Sequence, residues 1–478
     1  MHTTTTDVVI IGAGPSGTVA AAMLVRKGWS VEVVERGHFP RFSIGESLLP
    51  QSMVFLEEAG LLADIEAIGF QFKDGAAFHK QGVDTAIYFP DKSTPGPATT
   101  FQVRRDIFDD TLAKGAAAQG AHIVFGEEVI AFESSDAGAA VTVRNEQGEL
   151  RRIEARFALD ASGFGRTLSR LLDLEEPSEF PMRRSVFCHV RDHITEPTFD
   201  RNKILISVNP NNPEIWYWLI PLHDGLSSVG AVGEQAMIEA AGDTDHERLW
   251  SLIGEVGYLA KVLEHAEIVR PVGTIVGYAC SVKSLIGPSY ALLGNAAEFL
   301  DPVFSSGVTI ALKSASLATA LIDRHLRGDA VDWTAEFVEP LYVGIETFRA
   351  CVEAWYSGRL QRIIFNRPDT MTDAQRMVTA VLAGYAWDRT TRSCASRRAC
   401  CACSTNSRRR GDRLHLTLTT QHQCQQRRRH NSRHQRHHHH DGEHRLGDHP
   451  KFEPDVQHDE FHQSARVHEN ADANRIAP

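Results

Sequence analysis

Gly12, Gly14 and Gly17 fall in the run Gly12-Ala13-Gly14-Pro15-Ser16-Gly17, and Glu35 follows 23 residues after the first of them. Glycines at this spacing let a backbone turn tightly and lie against a pyrophosphate. A carboxylate at that distance accepts hydrogen bonds from ribose hydroxyls. The chemistry is that of holding a dinucleotide. A glycine turn in an ordinary α/β protein would leave Glu35 unexplained.

These residues act only if a strand, a turn and a helix position them. Asp7–Ile11 is an apolar strand, residues 18–27 have a helical pattern, Gly28-Trp29-Ser30 turns, and Val31–Val34 is a second strand that Glu35 ends. The result is a βαβ unit. Gly12 makes the tight turn, Gly14 admits the pyrophosphate, and Gly17 lets helix and strand pack closely. Ser16 belongs to the same turn. The helix N-terminus adds free N–H groups and a positive dipole end.

Three later segments favour FAD over NAD. Gln102–Asp109 precedes a helix and offers Arg105 as a cofactor contact; Ala158–Gly163 is a strand running into a turn and carries Asp160; Gly294-Asn295-Ala296-Ala297 follows the strand Tyr290–Leu293 and opens a helix. They resemble conserved elements of the flavoprotein hydroxylase superfamily, whose FAD site is assembled from distant pieces of chain. Asn295 stands where Asp is usual in that family. Its amide can still hydrogen-bond a ribityl hydroxyl.

Four further motifs narrow the resemblance: Arg41-Phe42-Ser43-Ile44-Gly45-Glu46-Ser47-Leu48-Leu49-Pro50, Gly69–Phe78 around Lys73, Asp301-Pro302-Val303-Phe304-Ser305-Ser306-Gly307-Val308, and Trp216-Tyr217-Trp218-Leu219-Ile220-Pro221. Over residues 1–389 the chain resembles a flavin-dependent halogenase of the kind that acts on phenols, pyrroles or carrier-bound aromatics. The resemblance implies that the first motif is a strap along the flavin, with Arg41, Gly45, Glu46 and Ser47 as cofactor contacts. It makes Lys73 the catalytic lysine, which holds hypohalous acid as an ammonium or carries the halogen as an amine. It sets Asp301 against the flavin and assigns halide binding to backbone N–H groups around Ser306 and Gly307. It makes Trp216, Trp218 and Pro221 a wall between flavin and substrate, although aromatics alternating along a strand ordinarily pack in a core. Relatives acting on free tryptophan carry glutamate where Phe304 stands. Phe304 cannot act as a base, which points to an already activated ring.

The whole chain sets the bounds. It has 478 residues, 42% hydrophobic and 23% charged, with a net charge of -11. That length supports a large core, and that charge argues against a nucleic-acid partner. No apolar stretch is long enough for a membrane span, and the start lacks the features of a leader, so a cytoplasmic protein is expected. Cys188, Cys280 and Cys351 are scattered as in reduced proteins. After residue 388 the composition shifts abruptly to Arg, His, Gln, Ser and Thr. This tail, 389–478, reads as disordered and as the product of a reading-frame shift. Its Cys400, Cys401 and Cys403 fit no zinc spacing, so no metal is expected.

The fold expected is α/β. A discontinuous Rossmann-like FAD-binding domain takes 1–70, 100–170 and 280–330, a β-sheet substrate domain takes 71–99 and 171–279, and C-terminal helices take 331–388. The resemblance implies FADH2- and O2-dependent chlorination or bromination of an aromatic, free or on an acyl or peptidyl carrier protein, in secondary-metabolite or pigment biosynthesis. With one dinucleotide fingerprint, reduced FAD must come from a separate flavin reductase. Two alternatives stay open: an FAD-dependent aromatic hydroxylase or prenyl-reductase-like oxidoreductase, and an inactive flavin binder with an altered C-terminus.

Overall fold

Val8–Ile11 are almost wholly buried, as expected for a parallel strand covered on both faces. They end the strand His2–Ile11, which lies inside a sheet ordered Ile286–Gly287, Tyr290–Leu292, Leu150–Asp160, His2–Ile11, Val31–Glu35, His122–Phe125. The last five are parallel. Glu127–Ser135 and Gly138–Asn145 form a hairpin that pairs with the first half of Leu150–Asp160. This computed structural model describes residues 2–178, 180–366 and 370–388. The readings made for 389–478, including its cysteines and the frame shift, lie outside the described residues.

The first strand is longer than the apolar run Asp7–Ile11 suggests. Thr3–Thr6 pair with Arg152–Ala155, and β-branched side chains suit a partly exposed strand. The first helix begins earlier than residue 18, because Gly14 is its N-cap and Pro15 its first residue. Proline at that position loses no hydrogen bond and has its φ preset. This helix, Pro15–Val25, packs against Arg105–Ala118 and Ser306–Leu326. Its Ala20, Ala21 and Ala22 are fully buried, and their small side chains allow the close approach.

The second sheet is ordered Glu267–Val276, Arg183–Arg191, Leu226–Glu234, Trp216–Pro221, Lys203–Val208, Gly75–Lys80, Val83–Tyr88. Only the pair Lys203–Val208 and Gly75–Lys80 is parallel. Strand alternation sorts its side chains. Trp216, Trp218, Ile206, Phe78 and Phe187 join the core that the first sheet also uses. Tyr217, Leu219, Leu205 and Val229 enter a separate core. That second core lies under helices Gln235–Glu239, Asp245–Gly254 and Gly257–Val262, in a stretch read from sequence only as β-rich. A capping box at Thr244 and Glu247 starts the longest of them.

The expected C-terminal helices are Glu339–Tyr356, Arg359–Phe365 and Asp373–Leu382. Their far end closes on the strap: Gln51 N–H donates to Ala383 O at 3.1 Å, and Thr94 donates to Asp388 at 2.7 Å. Among the described residues no helix is long and apolar enough to cross a membrane.

Trp218 lies flat across its strand neighbour because that neighbour is Gly230. A Cβ there would sit 2.3 Å from Trp218 Cζ2. Gly230→Val therefore displaces the indole, at about 1–3 kcal/mol for an overpacked core. Chemical denaturation should show that loss; an unchanged midpoint would mean the indole lies elsewhere.

Candidate active site

The three glycines of the first turn do different work. A Cβ at Gly12 would lie 2.6 Å from Ala161 O, and one at Gly17 would lie 2.0 Å from Gly12 O. Both positions are closed by the protein itself. At Gly14 the nearest atom is Arg41 Nη2, 4.0 Å away. That open space sits at the N-terminus of Pro15–Val25, which has no side-chain cap. Glu35 is held beside it by Ala13 N–H and Gly37 N–H, both at 2.9 Å. Arg41 reaches between Glu35 (3.7 Å) and Asp109 (3.6 Å).

The strap comes next. Gly45 has φ +99°, where side chains are strained, and a Cβ would stand 3.0 Å from Arg105 Nη1. Arg105 is tied by both oxygens of Asp109 at 2.7 and 2.8 Å, and it donates to Ile44 O. It supports the strap as well as bordering the cavity. Val103 N–H donates to Glu46 O at 2.7 Å and Leu48 N–H to Phe101 O at 3.1 Å, so the strap is stitched to the chain at 101–103. Strand Thr100–Gln102 pairs in turn with Gln71–Lys73. Alternation in that short strand turns Phe72 outward and Lys73 inward.

Lys73 is 1% exposed. Its Nζ donates to Ser47 Oγ at 2.7 Å and to Leu48 O at 2.8 Å, and lies 5.3 Å from the centre of the Phe89 ring. Among the described residues no carboxylate lies within ion-pair distance of it. Burial pulls its pKa from 10.5 down to about 7. The folded value lies below the unfolded one, so the folded chain binds fewer protons between them. Stability therefore rises as pH climbs from about 7 to 10.5. The cost of burial at neutral pH is on the order of 5 kcal/mol.

A cavity of about 100 Å³ opens between the two sheets. Gly45, Glu46, Ser47, Arg105, Trp216, Trp218, Asn295, Asp301, Ser306 and Gly307 all line it. The helix Ser306–Leu326 starts on this cavity after Ser305, which has φ 56° and caps nothing with its side chain. Its first N–H groups and dipole face the cavity, where they suit an anion. Trp216 Nε1 donates to Tyr356 at 2.9 Å, and Trp218 Nε1 to Ser228 at 3.1 Å. Glu46 meets His189 at 2.7 Å.

Nine expected site residues fall off this lining: Gly12, Gly14, Ser16, Gly17, Glu35 and Arg41 belong to the cradle at the first turn, and Lys73, Asp160 and Pro221 lie apart. Lys73 stands behind Ser47, which separates it from the cavity. Asp160 is turned inward: its two oxygens take Ser162 N–H (2.9 Å) and Leu168 N–H (2.7 Å), and burial raises its carboxyl pKa. It organises the turn after its strand and lies off the cavity. Pro221 is a buried strand end opposite Ser227. The expectation that Gly294 opens a helix is also corrected. Gly294–Ala296 is a single 3-10 turn, and the long helix waits until Ser306. Sequence reading missed Arg183, Tyr278 and Tyr356 around Asp301. The paired arginines that open the strand Arg183–Arg191 were the one available signal.

The fold and the cradle define an FAD-dependent flavoprotein. Residues 5–236 match the family model described as FAD binding domain. The chain is 32% identical over 341 residues to a 1H-pyrrole-2-carbonyl-[peptidyl-carrier protein] chlorinase of Pseudomonas fluorescens, covering 66% of this chain and 74% of that one. It is 29% identical to a tryptophan 2-halogenase of Chondromyces crocatus, covering 71% and 65%. A solved flavoprotein/dehydrogenase of Cytophaga hutchinsonii is 40% identical, with a TM-score of 0.79, covering 82% and 96%. The chain belongs to the flavin-dependent halogenases, whose cofactor is FAD and whose co-substrate is a halide.

The residues present fit FAD. Gly14 and the bare helix N-terminus would take the pyrophosphate, Glu35 the ribose, and the strap, Asn295 and Ser306–Gly307 the ring end. Gly14 separates binding from folding, because a side chain there meets only open space. Gly14→Val should weaken FAD roughly 100-fold, about 3 kcal/mol, with the apoprotein melting as before. Unchanged FAD affinity by fluorescence titration would place the pyrophosphate elsewhere.

Proposed function

We propose that this chain chlorinates or brominates an electron-rich aromatic ring, phenolic or pyrrolic, in a biosynthetic pathway. A separate reductase delivers the reduced flavin. Bound FADH2 supplies, with O2, the oxidising power that turns halide into hypohalous acid. The N–H groups of Ser306 and Gly307 hold the halide. Trp216 and Trp218 keep organic substrate from the flavin side. The hypohalous acid moves past Trp216 and Trp218 to Lys73, and the amine polarises the halogen toward the ring. Phe304 offers no base, so the ring must already be activated. The carrier-bound pyrrole of the Pseudomonas relative meets that requirement, whereas the tryptophan named for the Chondromyces relative does not.

The observation that carries this reading is the unpaired, buried amine of Lys73 beside the cavity. A lysine with no structural counter-charge, held near neutrality, is the signature of a working group. A second reading is an oxidoreductase that transfers no halogen. It is favoured by the enclosure of Lys73, which touches Phe89 rather than open space. The two separate in one assay with FAD, a reductase, bromide and a pyrrolyl-loaded carrier protein. We expect a brominated mass, lowered at least about 100-fold in Lys73→Ala while flavin oxidation continues. Undiminished bromination in that variant would remove Lys73 from the chemistry. Substrate-stimulated NADPH oxidation without a reductase would favour the second reading.

A further inference from the structure

Behind the indole wall lies a chain of hydrogen bonds with one direction. Trp216 Nε1 has only a proton to give, and it gives it to the Tyr356 oxygen at 2.9 Å. Tyr356 must then donate its own proton onward, and Asp301 Oδ2 receives it at 2.7 Å. The other oxygen of Asp301 takes Val303 N–H at 3.1 Å. Both oxygens of Asp301 are thus acceptors, and burial raises its carboxyl pKa against the pull of Tyr356 and Arg183. Arg183 supplies the counter-charge: its Nε lies 3.8 Å from Asp301 Oδ2, and its guanidinium carbon sits 3.5 Å above the Tyr356 ring centre. Glu214 holds the far side of that guanidinium at 3.0 Å. Trp216, Asp301 and Arg183 are each 5% exposed or less. Burial, then the charge of Asp301, raises the Tyr356 phenol well above its usual range, so it stays a donor.

The two ends of the chain both border the cavity, and Tyr356 stands behind them. Trp216 is half of the indole wall. Asp301 begins the turn that ends in the open N–H groups of Ser306 and Gly307. Tyr356 is the last residue of the helix Glu339–Tyr356, so a C-terminal element fixes both. We propose that Tyr356 is a positioning residue that locks the indole wall to the anion-binding turn, so that oxidising equivalents formed at the flavin go to halide rather than leaking as peroxide. Its consequence for coupling rests on the halogenase reading; its hold on Trp216 does not.

The test uses the full holoenzyme and Tyr356→Phe, which keeps the ring under Arg183 and deletes only the hydroxyl. The first readout needs no turnover. The chain has seven tryptophans, so 5-fluorotryptophan labelling gives seven 19F resonances, and the one lost in Trp216→Phe belongs to Trp216. In Tyr356→Phe that resonance should shift and broaden. The second readout is halogenated product per reduced flavin consumed, which should fall about tenfold as peroxide rises. If Tyr356→Phe does not fold, Trp216→Phe breaks the same bond from the other end and should show the same leak. In the double variant the leak should not multiply, because Tyr356 acts through Trp216. An unmoved Trp216 resonance, an unchanged coupling ratio or a multiplied leak overturns the proposal. A shifted resonance in a chain whose unaltered form makes no halogenated product supports the hold on Trp216 and removes the halogenase reading instead.

Discussion

The amine of Lys73 is buried with two hydrogen-bond acceptors and no counter-charge. That single arrangement constrains much of what surrounds it. The acceptors are Ser47 Oγ and Leu48 O, so the strap must run at one height past the strand Gln71–Lys73. The strap keeps that height because it is bonded to the chain at 101–103, which is paired to the lysine's own strand. Gly45 and the Arg105–Asp109 pair fix its approach. Phe89 then closes the site, and the C-terminal helices close over the strap through Ala383 and Gln51. A protein built only for stability would replace such a lysine with an apolar side chain, since its burial costs energy at neutral pH.

The same economy of backbone recurs at two helix starts that carry no side-chain caps: Pro15–Val25 after Gly14, and Ser306–Leu326 after Ser305 at the cavity. An uncapped helix start leaves N–H donors that only a ligand or water can satisfy. One faces space shaped by a bare glycine, and the other opens beside the indole wall. Both starts suit an anion such as phosphate or halide. What distinguishes them is the wall itself, which depends on Gly230 to let Trp218 lie across the sheet.

Much of this was legible in the sequence because it is local. Strand, glycine turn, helix and Glu35 fall within 35 residues, and Gly12 and Gly17 report close approaches that the structure contains, while Gly14 leaves open space. Trp216 and Trp218 on one face follow from strand alternation alone. The misreadings arise where distant contacts decide. Asp160, read as a cofactor ligand, lies off the cavity, and Leu168 N–H, eight residues on, meets its second oxygen. Thr3–Thr6 became strand because Arg152–Ala155 lie alongside. Tyr356 is 140 residues from Trp216 and 55 from Asp301, and nothing in its own segment marks it. The apolar periodicity of Asp245–Gly254, with Leu249, Leu252 and Ile253 buried, was readable but was absorbed into a β-rich reading.

The account stands or falls on the state of one amine. Its most direct test is an NMR titration of the chain labelled with 13C at lysine Cε, the Lys73 signal being the one missing in Lys73→Met. The account predicts a midpoint near 7. A midpoint near the ordinary 10.5 would contradict it, because the amine would then be hydrated or paired rather than held bare beside the cavity.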